Sequence, residues 1–324
     1  MPPDQPAVTR VGWLRALVFR ACVTTPRRLC ENLVTRGGHA AVTSVGYTVG
    51  MLDQTLPCPT DPIQIALRPR RGQFLALLRL ACELTRGALI LWLLFPRLQR
   101  DDRRRHIQSW ATRMLLILRI DVQCDGEPPQ AVASLVVSNH ISWLDVLVIQ
   151  SLMPGLFIAK TEVQSWPVIG KLARASGTIF VDRLSLKSTR RMAERSAEAL
   201  RQGYCVAGFP EGTSSDGADV AAFHANLFDA AVKAGVDVQP LALRYVNSHT
   251  GVRHDAAAFT GDDTLVSSIQ KVVATNSLSC RVQFAPRINT GGQTRKSLAS
   301  QSHQSIRHHV LWHDRTRLPS LPSV

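Results

Sequence analysis

The pattern of apolar and polar positions changes character near residue 120. Between Gln73 and Pro96 the run QFLALLRLACELTRGALILWLLFP is mostly apolar, but only its Gly87–Pro96 part is free of charge, about half of the roughly 20 residues a membrane span needs. On a 3.6-residue repeat Arg79, Glu83 and Arg86 fall in a narrow sector, while Leu75, Leu77, Leu78, Leu84, Leu89 and Leu91 cover much of the rest. This predicts a helix lying in or re-entering a membrane surface rather than a simple span. A second helix is expected from about His106 to Leu118. Beyond Asp121, short β-rich runs alternate with helical ones. Expected strands are Ser134–Val137, Leu156–Ala159, Thr178–Val181, Tyr204–Phe209, Val238–Tyr245 and Cys280–Phe284. Expected helices lie near Leu144–Leu152, Val168–Ala175, Leu186–Arg201, Leu227–Ala234 and Asp263–Ala274. Such alternation predicts an α/β fold with a central, largely parallel or mixed sheet flanked by helices. The expected organisation is a poorly ordered or over-called extension (1–70), a membrane-associated helical segment (71–120), the α/β domain (121–290) and a polar C-terminal tail (291–324).

Charge sharpens this picture. The first 120 residues hold 18 arginines against 7 acidic residues, so +11 of the chain's net +14 sits in that third. A field of this kind suits an anionic membrane surface, nucleic acid or an acidic protein. Aromatics are only 6% of the chain, and no nucleic-acid-binding motif surrounds the basic cluster Arg97, Arg100, Arg103, Arg104 and Arg105, so no nucleic-acid partner is expected. The seven cysteines are scattered without a CxxC pair, and His303, His308, His309 and His313 lack zinc-ligand spacing, so a reduced protein without metal is expected. The apolar stretch from Val11 is broken by Arg15 and Arg20 and has no cleavage pattern, so the N-terminus is expected to stay in the cytosol, and the protein is expected to be membrane-associated on the cytoplasmic face of the inner (plasma) membrane.

Candidate chemistry begins at LVVSNHISWLDVLVI, which reads as an apolar strand, a polar turn and a helix. Catalytic groups favour such strand ends. Within one helix, five residues would set His140 and Asp145 about 140° apart. His140 must therefore precede the helix, with Ser142 as the expected N-cap and the bend returning the imidazole over the Asp145 carboxylate. A carboxylate that accepts one imidazole N–H fixes the tautomer and leaves the other nitrogen to take a proton from a hydroxyl. Taken alone, the same residues read equally as a capping box and a structural histidine. Phe209-Pro210-Glu211-Gly212-Thr213 ends another apolar strand; Glu211 could bind hydroxyl groups, or the segment could be a plain turn. Arg183, closing Gly177-Thr178-Ile179-Phe180-Val181-Asp182-Arg183, could hold an anionic head group or simply pair with Asp182. No Gly-x-Ser-x-Gly elbow is present, which argues against a serine hydrolase.

In this order and spacing, NHxxxxD, GxxFxxR and FPEGT together resemble the lysophosphatidic acid acyltransferase family. The resemblance runs from about Trp110 to Val246, with local matches at Lys160-Thr161-Glu162, Trp166-Pro167-Val168-Ile169-Gly170 and Asp237-Val238-Gln239-Pro240, and a fainter one at Gly261-Asp262-Asp263-Thr264. It implies transfer of a fatty acyl group from a thioester, on acyl carrier protein or acyl-CoA, to a lysolipid hydroxyl, with no cofactor and no acyl-enzyme. His140 would be the base and Asp145 its orienter. Asn139, Arg183, Glu211, Gly212 and Thr213 would line the acceptor site, with Lys160 near the thioester. The family commonly continues FPEGT with Arg-Ser, whereas Ser214-Ser215-Asp216-Gly217 follows here; this looks more like the branch that acylates lyso-ornithine lipid. A catalytically inactive lipid-binding protein of the same fold is the alternative reading.

Overall fold

A computed structural model describes residues 67–126, 133–166, 168–261 and 263–315. The expected extension lies outside them apart from residues 67–70, as do Pro167 and Asp262. In chain order the elements are helix α1 (Arg70–Leu93), α2 (Arg100–Leu118), strands β1 (Asp121–Asp125) and β2 (Leu135–Ser138), α3 (Leu144–Leu152), β3 (Leu156–Lys160), α4 (Ile169–Ala175), β4 (Ile179–Val181), α5 (Leu186–Arg201), β5 (Val206–Gly208), α6 (Asp229–Ala234), β6 (Val238–Asn247), α7 (Leu265–Ala274), β7 (Leu278–Phe284) and α8 (Arg295–Arg315).

The seven strands form one sheet in the order β1-β7-β6-β2-β5-β3-β4. All neighbours run parallel except β6 and β7, which pair antiparallel from Leu241↔Phe284 to Asn247↔Leu278. The expected α/β class, with a mixed and mostly parallel sheet, is what forms. Strands β2 and β6 are buried along their whole length, as sheets covered on both faces require. Alternate residues serve opposite faces. Val136 joins the cluster built with Leu80, Leu115, Leu144, Val148 and Val272, whereas Leu135 and Val137 join the one built with Met192, Leu200, Phe228, Leu298 and Ile306. Helices α1, α2, α3 and α7 thus cover one face, and α5, α6 and α8 the other.

Local signals explain several boundaries. The Ser185 hydroxyl accepts the Ser188 N–H to start α5, and Thr264 with Ser267 forms a reciprocal capping box at α7. Helix α3 spans the expected residues, while α2 starts six residues before the expected His106.

Two elements depart from expectation. The segment expected as a polar tail begins instead with α8, where Leu298, Ser302, Ile306 and Val310 are buried at every fourth position on an otherwise polar helix. Strand β1 was not expected, because it is short, polar and at the sheet edge.

Helix α1 buries a narrow stripe and leaves a broad apolar side exposed. Its buried positions are Ala76, Leu80, Glu83 and Gly87. Glu83 meets Arg86 at 2.5 Å and Arg113 of α2 at 2.9 Å, and the Arg86 hydrogen bond, with Arg113 alongside, holds its carboxyl below the usual carboxylate range. The Trp110 indole N–H donates to the Glu83 carbonyl and lies over Gly87, where a Cβ would come within 2.7 Å of its nitrogen. Part of the polar sector therefore faces α2, while Phe74 is 67% and Trp92 75% exposed, with Leu75, Leu77, Leu78, Leu89 and Leu93 also open to solvent. No helix among the described residues is long and apolar enough to cross a membrane.

Candidate active site

Because β2, β3, β4 and β5 are parallel, the residues that follow them all emerge at one sheet edge. His140 lies two residues past β2, Lys160 ends β3, Arg183 lies two past β4, and Glu211 lies three past β5. Ligand sites of open α/β sheets favour this edge.

His140 sits in the turn before α3, and its Nδ1 lies 2.9 Å from Asp145 Oδ2. The carboxylate can only accept, so Nδ1 carries a proton and Nε2 is the nitrogen turned away from Asp145. Asp145 is fully buried, and four donors meet it. Oδ2 also accepts the N–H of Ile141 (2.7 Å) and of Ser142 (2.9 Å), and Oδ1 accepts the Tyr245 hydroxyl (2.8 Å). The imidazole stacks on Phe209 with centroids 4.0 Å apart and planes 9° apart. Its side chain remains 22% exposed, and among the described residues Nε2 has no hydrogen-bond partner. The imidazole is held at Nδ1 by Asp145 and on one face by Phe209, with the other nitrogen open.

The His140 peptide is fixed as firmly as its ring. Its N–H donates to Glu211 Oε1 at 2.7 Å, and its carbonyl accepts the Ser215 N–H at 2.9 Å. Glu211 Oε2 accepts the Ala221 N–H at 2.9 Å. Burial pushes the Glu211 carboxyl above the usual carboxylate range, while these two backbone donors pull the other way. The Arg183 guanidinium donates to the Gly212 carbonyl, and burial draws its pKa down. Gly212 has φ +84, and a Cβ there would stand 2.7 Å from Arg183 Nη1 and 3.3 Å from the His224 ring. Glycine is needed at this point for both conformation and space.

Several expected roles change. Asn139 does not face a ligand: it is 1% exposed, its amide donates to the Leu243 carbonyl (3.0 Å), and its Oδ1 accepts the Leu243 N–H (2.8 Å). It ties the end of β2 to β6. Glu211 is likewise buried, and its oxygens hold backbone N–H groups rather than standing open for hydroxyls. Ser142 does not cap α3; its hydroxyl is buried without a partner among the described residues, and the Asp145 carboxylate takes the turn's N–H groups instead. Arg183 does not pair with Asp182, whose Oδ1 accepts the Leu184 N–H. Lys160 and Thr213 are exposed at the same edge, with no hydrogen bond to His140 or Asp145.

Tyr245, His224 and the Ser215 N–H were missed. Tyr245 is 100 residues from Asp145, and it meets the carboxylate only because β6 lies beside β2. A tyrosine within an apolar strand carries no local sign of such a partner.

The acyltransferase family model matches residues 119–244, from the start of β1 through the His140 and Glu211 turns to the residue before Tyr245. A lyso-ornithine lipid O-acyltransferase of Pseudomonas aeruginosa is 37% identical over 205 residues, covering 63% of this chain and 78% of that protein. The chain belongs to the acyltransferase family. A 1-acyl-sn-glycerol-3-phosphate acyltransferase of Neisseria meningitidis serogroup B is 35% identical over 209 residues, covering 64% of this acyltransferase and 81% of its relative. The crystal structure of the 1-acyl-sn-glycerophosphate acyltransferase from Thermotoga maritima shares the fold, with a TM-score of 0.53 over 77% of this chain and all of that one, at 20% identity. The acyltransferase is thus an enzyme of lipid biosynthesis whose fold and family are those expected from its motifs.

Proposed function

We propose that the enzyme moves a fatty acyl group from a thioester, carried by acyl carrier protein or coenzyme A, to the hydroxyl of a lysolipid. The reading is carried by the pairing of His140 Nδ1 with buried Asp145 at 2.9 Å, at the strand edge, with the opposite ring nitrogen unpartnered among the described residues. His140 Nε2 takes the proton as the acceptor oxygen attacks the thioester carbonyl, forming the C–O bond. Collapse of the tetrahedral intermediate breaks the C–S bond, and the departing thiolate takes that proton from the imidazolium. The ester and the free thiol leave, and His140 returns to its neutral form. Asp145 fixes the tautomer and stabilises the transient imidazolium; no covalent acyl-enzyme is needed. Arg183, Gly212 and Thr213 border the acceptor, and Lys160 lies toward the thioester. Asn139 and Glu211 position the base.

The enzyme is proposed to work on the cytoplasmic face of the inner (plasma) membrane, with the apolar side of α1 in contact with anionic lipid. The exposed apolar side chains of α1 and the arginine-rich segment after it support this placement.

The preferred acceptor is proposed to be lyso-ornithine lipid or a similar amino-acid-containing lysolipid. Ser214 stands where the family often has a phosphate-facing arginine, and a head group with its own amine needs fewer cations. Asp216, a carboxylate of the same loop that such an amine could meet, already pairs with Arg253 at 3.2 Å, so the preference rests on Ser214 alone. Lysophosphatidic acid is the second reading, favoured by Arg183 and His224 flanking Gly212. Purified enzyme in detergent, given labelled acyl-thioester and both acceptors, decides it. Higher kcat/KM for the lyso-ornithine lipid is expected, and a clear preference for lysophosphatidic acid reverses the assignment. In the same assay His140→Ala should lose about 10²–10⁴-fold in single-turnover rate, and wild-type turnover by that variant would remove the mechanism.

A further inference from the structure

The loop joining β4 to α5 leaves Arg183 at the Gly212 turn and then presents two leucines to solvent. Leu184 is 98% and Leu186 88% exposed. Neither is frayed chain. The Leu184 N–H donates to Asp182 Oδ1 at 3.0 Å, the Asp182 N–H donates to the Ser188 hydroxyl at 2.9 Å, and the Ser188 N–H donates to the Ser185 hydroxyl at 3.2 Å. The backbone is held in place so that the leucines stand out from it.

Burying neither of two leucines on an ordered loop forgoes a substantial apolar gain, so a partner is implied. The surrounding charge indicates which. The first two turns of α5 carry Lys187, Arg190 and Arg191, all exposed, and the first turn holds no acidic residue. Cations are unfavourable at the positive end of a helix dipole, and an external anion relieves that repulsion. Arg190 pairs with Glu194, but among the described residues Lys187 and Arg191 have no carboxylate partner. Protruding leucines ringed by unneutralised cations suit an anionic bilayer: side chains enter the acyl boundary and ammonium and guanidinium groups meet lipid phosphates.

The position fits as well. Arg183, next to Leu184, touches Gly212, whose loop holds the His140 peptide. The start of α1 reaches the same sheet edge, since the Arg68 N–H donates to the Ala274 carbonyl and Leu67 bridges Thr275, just before β7 and opposite the end of β6.

We propose that Leu184 and Leu186, with Lys187 and Arg191, form a second membrane contact, separate from α1, that seats the mouth of the acceptor site on the anionic lipid surface. This rests on the lysolipid reading above and adds the route by which the acceptor enters: laterally, from the bilayer.

The test uses the full chain carrying Leu184→Ser and Leu186→Ser, positions so exposed that folding is not at stake. Two readouts separate this inference from the reading beneath it. Cosedimentation with phosphatidylglycerol–phosphatidylcholine vesicles, without any acceptor, reads the contact independently of catalysis; about a tenfold loss of partitioning is expected. With acyl-CoA, the apparent KM for lysophosphatidic acid embedded in those vesicles should rise about as much, while kcat/KM for a short-chain acceptor kept below its micelle concentration stays at the wild-type value. Lys187→Glu with Arg191→Glu should weaken the preference for phosphatidylglycerol over phosphatidylcholine alone, leaving the part carried by α1 and the arginines that follow it. Unchanged partitioning and unchanged vesicle kinetics in the serine variant would overturn the contact. A defect seen with monomeric acceptor, and only when acyl carrier protein is the donor, would also overturn it, assigning the loop to carrier docking. Wild-type protein inactive on every lysolipid would sink the functional reading, and with it the entry route, whatever the vesicles show.

Discussion

The Asp145 carboxylate is the most constrained group of the site, with four donors on two oxygens and no solvent exposure. Burial pushes the Tyr245 phenol well above its usual value, so it remains a protonated donor at every working pH. Tyr245→Phe leaves Oδ1 unsatisfied; a hydrogen bond to a charged group is worth about 1.5–3 kcal/mol, so kcat should fall about 10–100-fold with little change in acceptor KM. A carboxylate with one donor fewer holds an imidazolium more tightly, so the acid limb of the kcat/KM profile should move to higher pH. Loss of thermal stability with an unmoved profile would mark Tyr245 as structural only. At Gly212, alanine meets both a disfavoured backbone and the Arg183 guanidinium; a loss of about 1–2 kcal/mol in stability and a raised acceptor KM are expected from melting and steady-state measurements. At this scale the pairing of His140 with Asp145 was legible in the sequence, because a turn between strand and helix restricts where two such residues can lie. It could not disclose which polar residues face inward. Asn139 and Glu211 are chemically equal to ligand contacts, and only packing shows that backbone groups occupy them.

Among the elements, legibility followed burial. The central strands were evident from continuous apolar runs, and α5 from apolar residues at helical spacing. Strand β1 was not, because an edge strand needs neither face wholly apolar: Asp121, Gln123, Cys124 and Asp125 are all exposed. Helix α8 was hidden for a related reason, since its buried stripe includes Ala299 and Ser302 and most of the rest is Gln, His, Ser and Arg. That helix is also tied by Arg307, which meets both oxygens of Asp219 at 2.7 and 2.8 Å. The Arg307 hydrogen bond is the main cause that lowers the Asp219 carboxyl to about 2. A depressed acid stabilises the fold above its unfolded pKa, about 4, and the contribution fades as pH falls toward 2. Wild type and Arg307→Gln should therefore differ slightly in Tm near neutral pH at low salt, and the gap should narrow through that window. The pair is exposed, so the difference is small. A gap constant down to pH 2 would show that Arg307 acts by packing rather than charge.

Across the whole molecule, one sheet edge gathers the candidate site residues and one helix turns an apolar side outward. Leu78→Lys with Trp92→Lys changes only exposed positions of α1, so the variant should leave the membrane fraction while keeping wild-type turnover in detergent. Unchanged fractionation would remove α1 from the membrane contact. The same architecture binds stretches far apart in the chain. The N–H and carbonyl of the His140 peptide end on Glu211 and Ser215, about seventy residues away, so the two turns form one rigid body assembled from separate strands. Neither turn is a transplantable cassette. A chimera that takes the 211–217 loop from a relative also takes the anchors of this histidine, and its altered acceptor choice would be inseparable from an altered base unless Glu211 and the residue-215 amide keep their places. Changes in acceptor are therefore most accessible at exposed Thr213, since Ser214 and Asp216 also tie the loop, to the Phe259 carbonyl and to Arg253.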